Sequence, residues 1–257
     1  MTEQASPGRT TVLTEQPVFT RPSERTFAPG PLAAGPFAGL QGGAVAGVLA
    51  TSMEEAAPKG MEPLSIRADF LRPAAPEPID VDVELVRTGS RVAVLAATAS
   101  IDAKPIARAV MAFGRPIESS LVSERPADVR VPDDATPLLP RVSRSKPTLM
   151  DAFDSRTADG TLWFRWLVPL CEGSTPFAHA LAPADWSHGL TRPLPGGPVA
   201  CPNVDLSVAV HRPCTGEWIG LRVDSIWTAD GRGTAGGLLV DELGAFGRVA
   251  IAFVVVT

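Results

Sequence analysis

The sequence predicts an α+β protein made of two tandem copies of one unit, each a single apolar helix followed by a long antiparallel meander. Three observations predict it. The stretch SIRADFLRP (65–73) returns as DLSVAVHRP (205–213), so that Leu71-Arg72-Pro73 matches His211-Arg212-Pro213, 140 residues further on. Both copies lead into strands that alternate apolar and polar residues and are separated by turn-forming residues. An apolar stretch with helical spacing precedes each copy.

The elements follow in order. In LQGGAVAGVLATSMEEAAP (40–58), Val45, Val48, Leu49, Ser52 and Met53 share one side of a helix that Gly42 and Gly43 open and Pro58 with Gly60 closes. The strand at 65–73 comes next, then strands divided by the turns RTGS and IDAKP. Residues 117–147 are rich in proline, serine and charge, as a surface linker is. The second helix candidate is STPFAHALAPADWSHGL (174–190). Ser174 or Thr175 can cap it, Gly189 can stop it, and Pro183 argues for a break or kink. The strand at 205–213 and the turns TADGRG and DELGAFG complete the repeat. This divides the chain into an N-terminal repeat (1–116), a linker (117–147) and a C-terminal repeat (148–257). A curved antiparallel sheet wrapped around one apolar helix is the hotdog fold, and two in tandem make a double hotdog. Fusing two units lets their sheets join edge to edge within one chain. Further pairing of chains is expected to be symmetric, as a homodimer or homotetramer.

Composition narrows the function. Hydrophobic residues make up 45% and charged residues 20% of the chain, as in ordinary globular proteins. The net charge is −5 and the Lys and Arg residues are scattered, which disfavours nucleic acid as a partner. The longest apolar runs, such as GAVAGVLA and IAFVVV, are too short to span a bilayer. The opening MTEQASPGRTTVLTEQPVF lacks the basic and apolar regions of a secretory signal. Three cysteines without metal-ligand spacing read as free thiols, so a cytoplasmic protein with neither metal nor cofactor is expected. GRGTAGG (231–237) contains a dinucleotide-type glycine spacing, but a strand and turn follow it instead of a helix, so it reads as a hairpin.

Gly42, Gly43, Val45, Phe70, Leu71, Arg72 and Pro73 in the first half, with Asp205, Ser207, His211, Arg212, Pro213, Glu217 and Trp218 in the second, resemble the acyl-CoA thioesterase II (TesB-type) family. The resemblance implies hydrolysis of an acyl-CoA or acyl-carrier thioester by a water held between an Asp, a Ser or Thr hydroxyl and a Gln. It places the Asp at Asp205. The hydroxyl position falls on Ile226, with Ser225 before it and Thr228 two residues after. The Gln position falls on or near Ala252, and the only glutamines are Gln4, Gln16 and Gln41. Asn203, the only asparagine, alternates onto the same strand face as Asp205 and is one substitute amide. Gln41, which precedes Gly42 and Gly43 at a helix start suited to binding an oxyanion, is another.

Two other functions stay open at this level. Loss of the Gln would suit a catalytically silent acyl-binding protein. Asp185 and His188, three residues apart on the second helix candidate, would suit a hotdog dehydratase or hydratase.

Overall fold

The computed structural model describes residues 16–36, 39–120, 135–138, 146–187 and 201–256. In the first half, a short hairpin, β1 (Phe19–Thr20) and β2 (Thr26–Pro29), precedes α1 (Gly42–Ala56). Four strands follow: β3 (Glu62–Phe70), β4 (Ile79–Thr88), β5 (Val92–Ile101) and β6 (Lys104–Gly114). The second half starts with β7 (Thr136–Pro137) and the hairpin β8 (Phe153–Ala158) and β9 (Thr161–Trp166), then α2 (Pro176–Ala184). It ends with β10 (Asp205–Val210), β11 (Trp218–Trp227), β12 (Arg232–Asp241) and β13 (Gly244–Val254).

All strands among the described residues join one antiparallel sheet in the order β1-β2-β4-β5-β6-β3-β10-β13-β12-β11-β9-β8-β7. The order reads the same from either end once β7 is set aside, so each half is a copy of the other. The weld between them is the antiparallel pair β3–β10, with Arg67 opposite Ser207 and Asp69 opposite Asp205. The repeat is longer than the sequence suggests, because the hairpins β1–β2 and β8–β9 precede the helices in both halves.

Alternation decides which face is buried. Along β5, Ala93, Leu95, Ala97, Ala99 and Ile101 point inward, and the residues between them are more exposed. The two-residue turn into β6 carries Asp102 (φ 49°) and Ala103 (φ 59°), both left-handed as a tight hairpin of this twist requires. The helix α1 is buried around its whole circumference from Gly43 to Met53, not on one stripe. The sheet covers one side and α2 covers the other, and a helix apolar all round fits only such a central position.

The two helices run antiparallel at close range. A Cβ on Gly43 would lie 2.4 Å from the Leu181 carbonyl oxygen and 2.5 Å from Cβ of Asp185. At Gly47 it would lie 2.5 Å from Cδ2 of Leu170 and 3.0 Å from the Ala178 carbonyl oxygen. In α2, Thr175 is the cap, accepting from the Ala178 N–H, and Pro183 falls in the last turn. One apolar core runs through both halves, and Trp163, Val240 and Ala245 form a small separate cluster on the outer face. Arg212 of the His-Arg-Pro stretch forks onto the fully buried Asp241 (2.5 and 2.7 Å), tying the loop after β10 to the β12–β13 turn.

Candidate active site

The cap of α1 meets the end of α2 at one junction. Gln41 caps α1 by accepting from the Ala44 N–H through Oε1 (2.6 Å), which leaves its Nε2 to donate to Asp185 Oδ2 (2.7 Å) and more weakly to the Ala182 carbonyl (3.4 Å). The Gly43 N–H donates to the same Asp185 oxygen (2.9 Å). Asn203 Nδ2 donates to Asp185 Oδ1 (2.6 Å) and to the Asp185 backbone carbonyl (2.7 Å). Asp185 is therefore a buried carboxylate with donors from α1 and from the chain entering β10. Burial pushes its pKa from 3.8 up to about 6, against the opposing pull of Asn203 and the Gly43 N–H. A carboxylate poised near neutrality at the positive end of a helix can take a proton beside a developing oxyanion.

Of the residues expected from sequence, Gln41, Gly42, Gly43 and Asn203 meet here. Asp205 does not. Ser207 faces Ala250 in the β10–β13 pair, yet Asn203 bridges Phe253, so the register slips by one residue at Val204. The slip turns Asn203 toward Asp185, whereas Asp205 points to the outer face, so the two do not share a face as simple alternation predicts. It also leaves Val204 47% exposed while Leu206 and Val208 are buried. Asp205 Oδ1 accepts the Ala252 N–H (2.7 Å), and Oδ2 pairs with Arg67 of β3 (3.0 Å), across the weld.

The hydroxyl candidates lie apart. Ile226 pairs with Thr234 and Thr234 with Ala252, so the positions matched to the family's hydroxyl and Gln share the outward row of Asp205. Ile226 is 66% exposed. Ser225 faces inward, buried, and accepts from Trp227 Nε1 (3.2 Å). Thr228 lies beyond the end of β11 and bonds to Asp230 and the Arg232 carbonyl within its own turn. His188 lies outside the described residues, so the Asp185–His188 pairing has no geometry to report. Sequence reasoning offers Asp185 only as a partner of that histidine; the signal missed is its place as C-cap of α2 in an antiparallel helix pair.

The opposite end of the helix pair holds a second carboxylate. Glu54 of α1 accepts from the hydroxyl of Thr175, the α2 cap (2.7 and 2.9 Å), and burial pushes its pKa up to about 7. Beside it, Ser174 Oγ lies 2.8 Å from Nε2 of His179, whose burial lowers its pKa to about 4. Among the described residues, no group of three His, Cys, Asp or Glu side chains could hold a metal ion, and no helix is long and apolar enough to cross a membrane.

Solved structures share this architecture. The TesB protein of Mycobacterium avium subsp. paratuberculosis is 17% identical, with a TM-score of 0.67 over 93% of this chain and 96% of its own. Acyl-CoA thioesterase II of Mycobacterium marinum is 15% identical, with a TM-score of 0.67 over 93% and 95%. A protein with a hotdog fold from Alicyclobacillus acidocaldarius is 17% identical, with a TM-score of 0.69 over 91% and 94%. No curated protein matches the sequence. Residues 31–114 match the acyl-CoA thioesterase N-terminal domain, and residues 118–250 match the acyl-CoA thioesterase C-terminal domain. Two welded hotdogs and these two matched domains, which together take in most of the chain, lead to one assignment: the chain belongs to the acyl-CoA thioesterase family.

Proposed function

We propose that this enzyme hydrolyses acyl-CoA or acyl-carrier thioesters with a water activated by Asp185. The observation that carries the reading is the buried Asp185 carboxylate between Gln41, the Gly43 N–H and Asn203. Water adds to the thioester carbonyl carbon and gives a proton to Asp185. The carbonyl oxygen becomes an oxyanion at the α1 N-terminus, where the Gly42 N–H and the positive end of the helix stabilise it while the Gly43 N–H stays on Asp185. Collapse breaks the C–S bond, and Asp185 returns the proton to the leaving thiolate. Gln41 holds Asp185 against the helix start.

A second reading assigns the base to Asp205, with a hydroxyl from Thr228 or Ser225. It is favoured by Asp205 lying at the weld in one row with Ala252 and Ile226. Thiol release from acyl-CoAs of increasing chain length, followed with a thiol reagent, separates the two. Asp185→Asn is expected to lower kcat by ~10²–10⁴ and Asp205→Asn to leave it within a few-fold, as loss of a proton acceptor predicts. The reverse result establishes the second reading. Binding of acyl-CoA without turnover in the wild type establishes the silent acyl-binding protein. Three cysteines that form no disulfide with one another support a cytoplasmic setting. Assembly as a homodimer or homotetramer is proposed with it, and light scattering giving a mass of one chain, 26.9 kDa, excludes it.

A further inference from the structure

Asn203 has a buried carbonyl oxygen, Oδ1, without a hydrogen-bond partner. Two acceptors fix the orientation of the amide, since its nitrogen faces both the Asp185 carboxylate and the Asp185 backbone carbonyl. Oδ1 is therefore the atom of the amide left for a donor. A buried acceptor left unmet is costly, and it marks a place where a donor belongs. Two other buried side-chain atoms among the described residues lack partners, Nε of Arg21 and Nε1 of Trp163. Both are donors, and neither belongs to a residue that touches Asp185.

We infer that Asn203 Oδ1 is the second acceptor for the attacking water, beside the Asp185 carboxylate. The inference rests on Asp185 being the base. Water has two hydrogens, and aiming its lone pair at a carbonyl carbon requires that both be held. Asp185 takes one. Around it Gln41 Nε2, the Gly43 N–H and Asn203 Nδ2 are all donors. Among the described residues, the other side-chain and carbonyl acceptors that contact Asp185 or Gln41 are already engaged. Gln41 Oε1 takes the Ala44 N–H, the Ala182 carbonyl takes Gln41 Nε2, and the Asp185 carbonyl takes Asn203 Nδ2. Oδ1 of Asn203 is the uncommitted one. The one-residue slip opposite Phe253 is what brings it there, on a different strand position from the Ala252 site where the family resemblance puts a Gln.

Methanol distinguishes this role from simple support of Asp185, because a methyl group replaces the hydrogen that Oδ1 would accept. In either reaction the oxygen bonds to the carbonyl carbon, one proton passes by way of Asp185 to the thiolate, and the C–S bond breaks. Water yields the acid and methanol the methyl ester. With an acyl-CoA substrate in methanol–water mixtures, Asn203→Leu is expected to lower hydrolysis by about ten-fold or more, the worth of one hydrogen bond to a reacting group. The ratio of methyl ester to acid should rise by a similar factor. If ester and acid fall together, Asn203 only holds Asp185 and the inference is wrong. If the ratio stays constant and KM alone rises, Oδ1 takes a substrate N–H, which also overturns it. Should Asn203→Leu fail to fold, Asn203→Ala gives the same ratio test. Wild-type hydrolysis by Asp185→Asn would instead refute the base assignment itself, a result distinct from an unchanged product ratio.

Discussion

Asp185 and Glu54 are carboxylates that the fold removes from water without a cation beside them among the described residues, and their cost appears as pH dependence. Glu54 has its pKa raised from 4.5 to about 7, so between those values the folded chain keeps a proton that the unfolded chain has released. Stability that is complete below about pH 4.5 is therefore lost as pH rises toward 7. Glu54→Gln removes the charge and keeps an acceptor for the Thr175 hydroxyl. It is expected to be neutral at pH 4 and to stabilise by about 2 kcal/mol at pH 8, or roughly 5 °C in Tm, for a half-buried group. Calorimetry at the two pH values checks it; equal differences at both would show that Glu54 is not the cause. Asp185 acts in the same sense on stability but opposite on rate, because its ionised form is the base. Thiol release should rise with pH through about 6 and then level off. A rate already flat between pH 5 and 7 would point away from Asp185. The sequence showed Gln41, Gly43 and Asn203 as residues that could serve a site, since an amide before two helix-opening glycines and a lone asparagine stand out. It could not show that they converge on Asp185, because that depends on a one-residue slip at Val204 and on helix packing, neither of which leaves a local pattern.

The helix pair brings the backbones of the two halves into close contact at Gly43 and Gly47. Ala is a better helix former than Gly by about 1 kcal/mol, so propensity alone would make Gly43→Ala stabilising. The added carbon would meet a backbone oxygen at 2.4 Å, and a carbonyl held within α2 cannot step aside as a flexible side chain can. The clash wins: a loss of about 2 kcal/mol or more is expected, with a larger fall in thioesterase activity as Asp185 is pushed off the Gly43 N–H. Denaturant unfolding and kcat measured on the same preparation test it, and a variant more stable than wild type contradicts the packing argument. At this scale the sequence was most legible. The meanders of β3–β6 and β10–β13, both helices and the edge-to-edge weld follow from alternation, turns and the repeat. The short strands β1, β2 and β7 did not show themselves, because elements of two to four residues carry too little periodicity. The burial of α1 on all sides also escaped, since its sequence shows apolarity but not which neighbour supplies the second cover.

Taken whole, the molecule should melt as one unit, because the β3–β10 weld, the α1–α2 contact and the continuous core all cross the boundary between halves. Its aromatic residues offer a clean test. All five tryptophans (Trp163, Trp166, Trp186, Trp218 and Trp227) fall in the second half, and tyrosine is absent from the chain. Tryptophan fluorescence therefore reports one half, while far-ultraviolet circular dichroism reports both. The two denaturation curves are expected to coincide; a fluorescence transition displaced from the dichroism would mean that the halves unfold separately. Among the described residues the ends of the sheet are strands of two residues, one containing Pro137, and strands so short leave little edge for another chain to extend. The unlike ends of the helix seam have a wider consequence. In a symmetric pair of identical hotdogs every substitution is made twice, so a residue that improves one junction must be tolerated at the other. Fusion into one chain removes that obligation. Gln41 and Asp185 can specialise at one end while Thr175 and Glu54 drift toward another task or toward mere support. A single fused chain is thus free to let its two halves diverge.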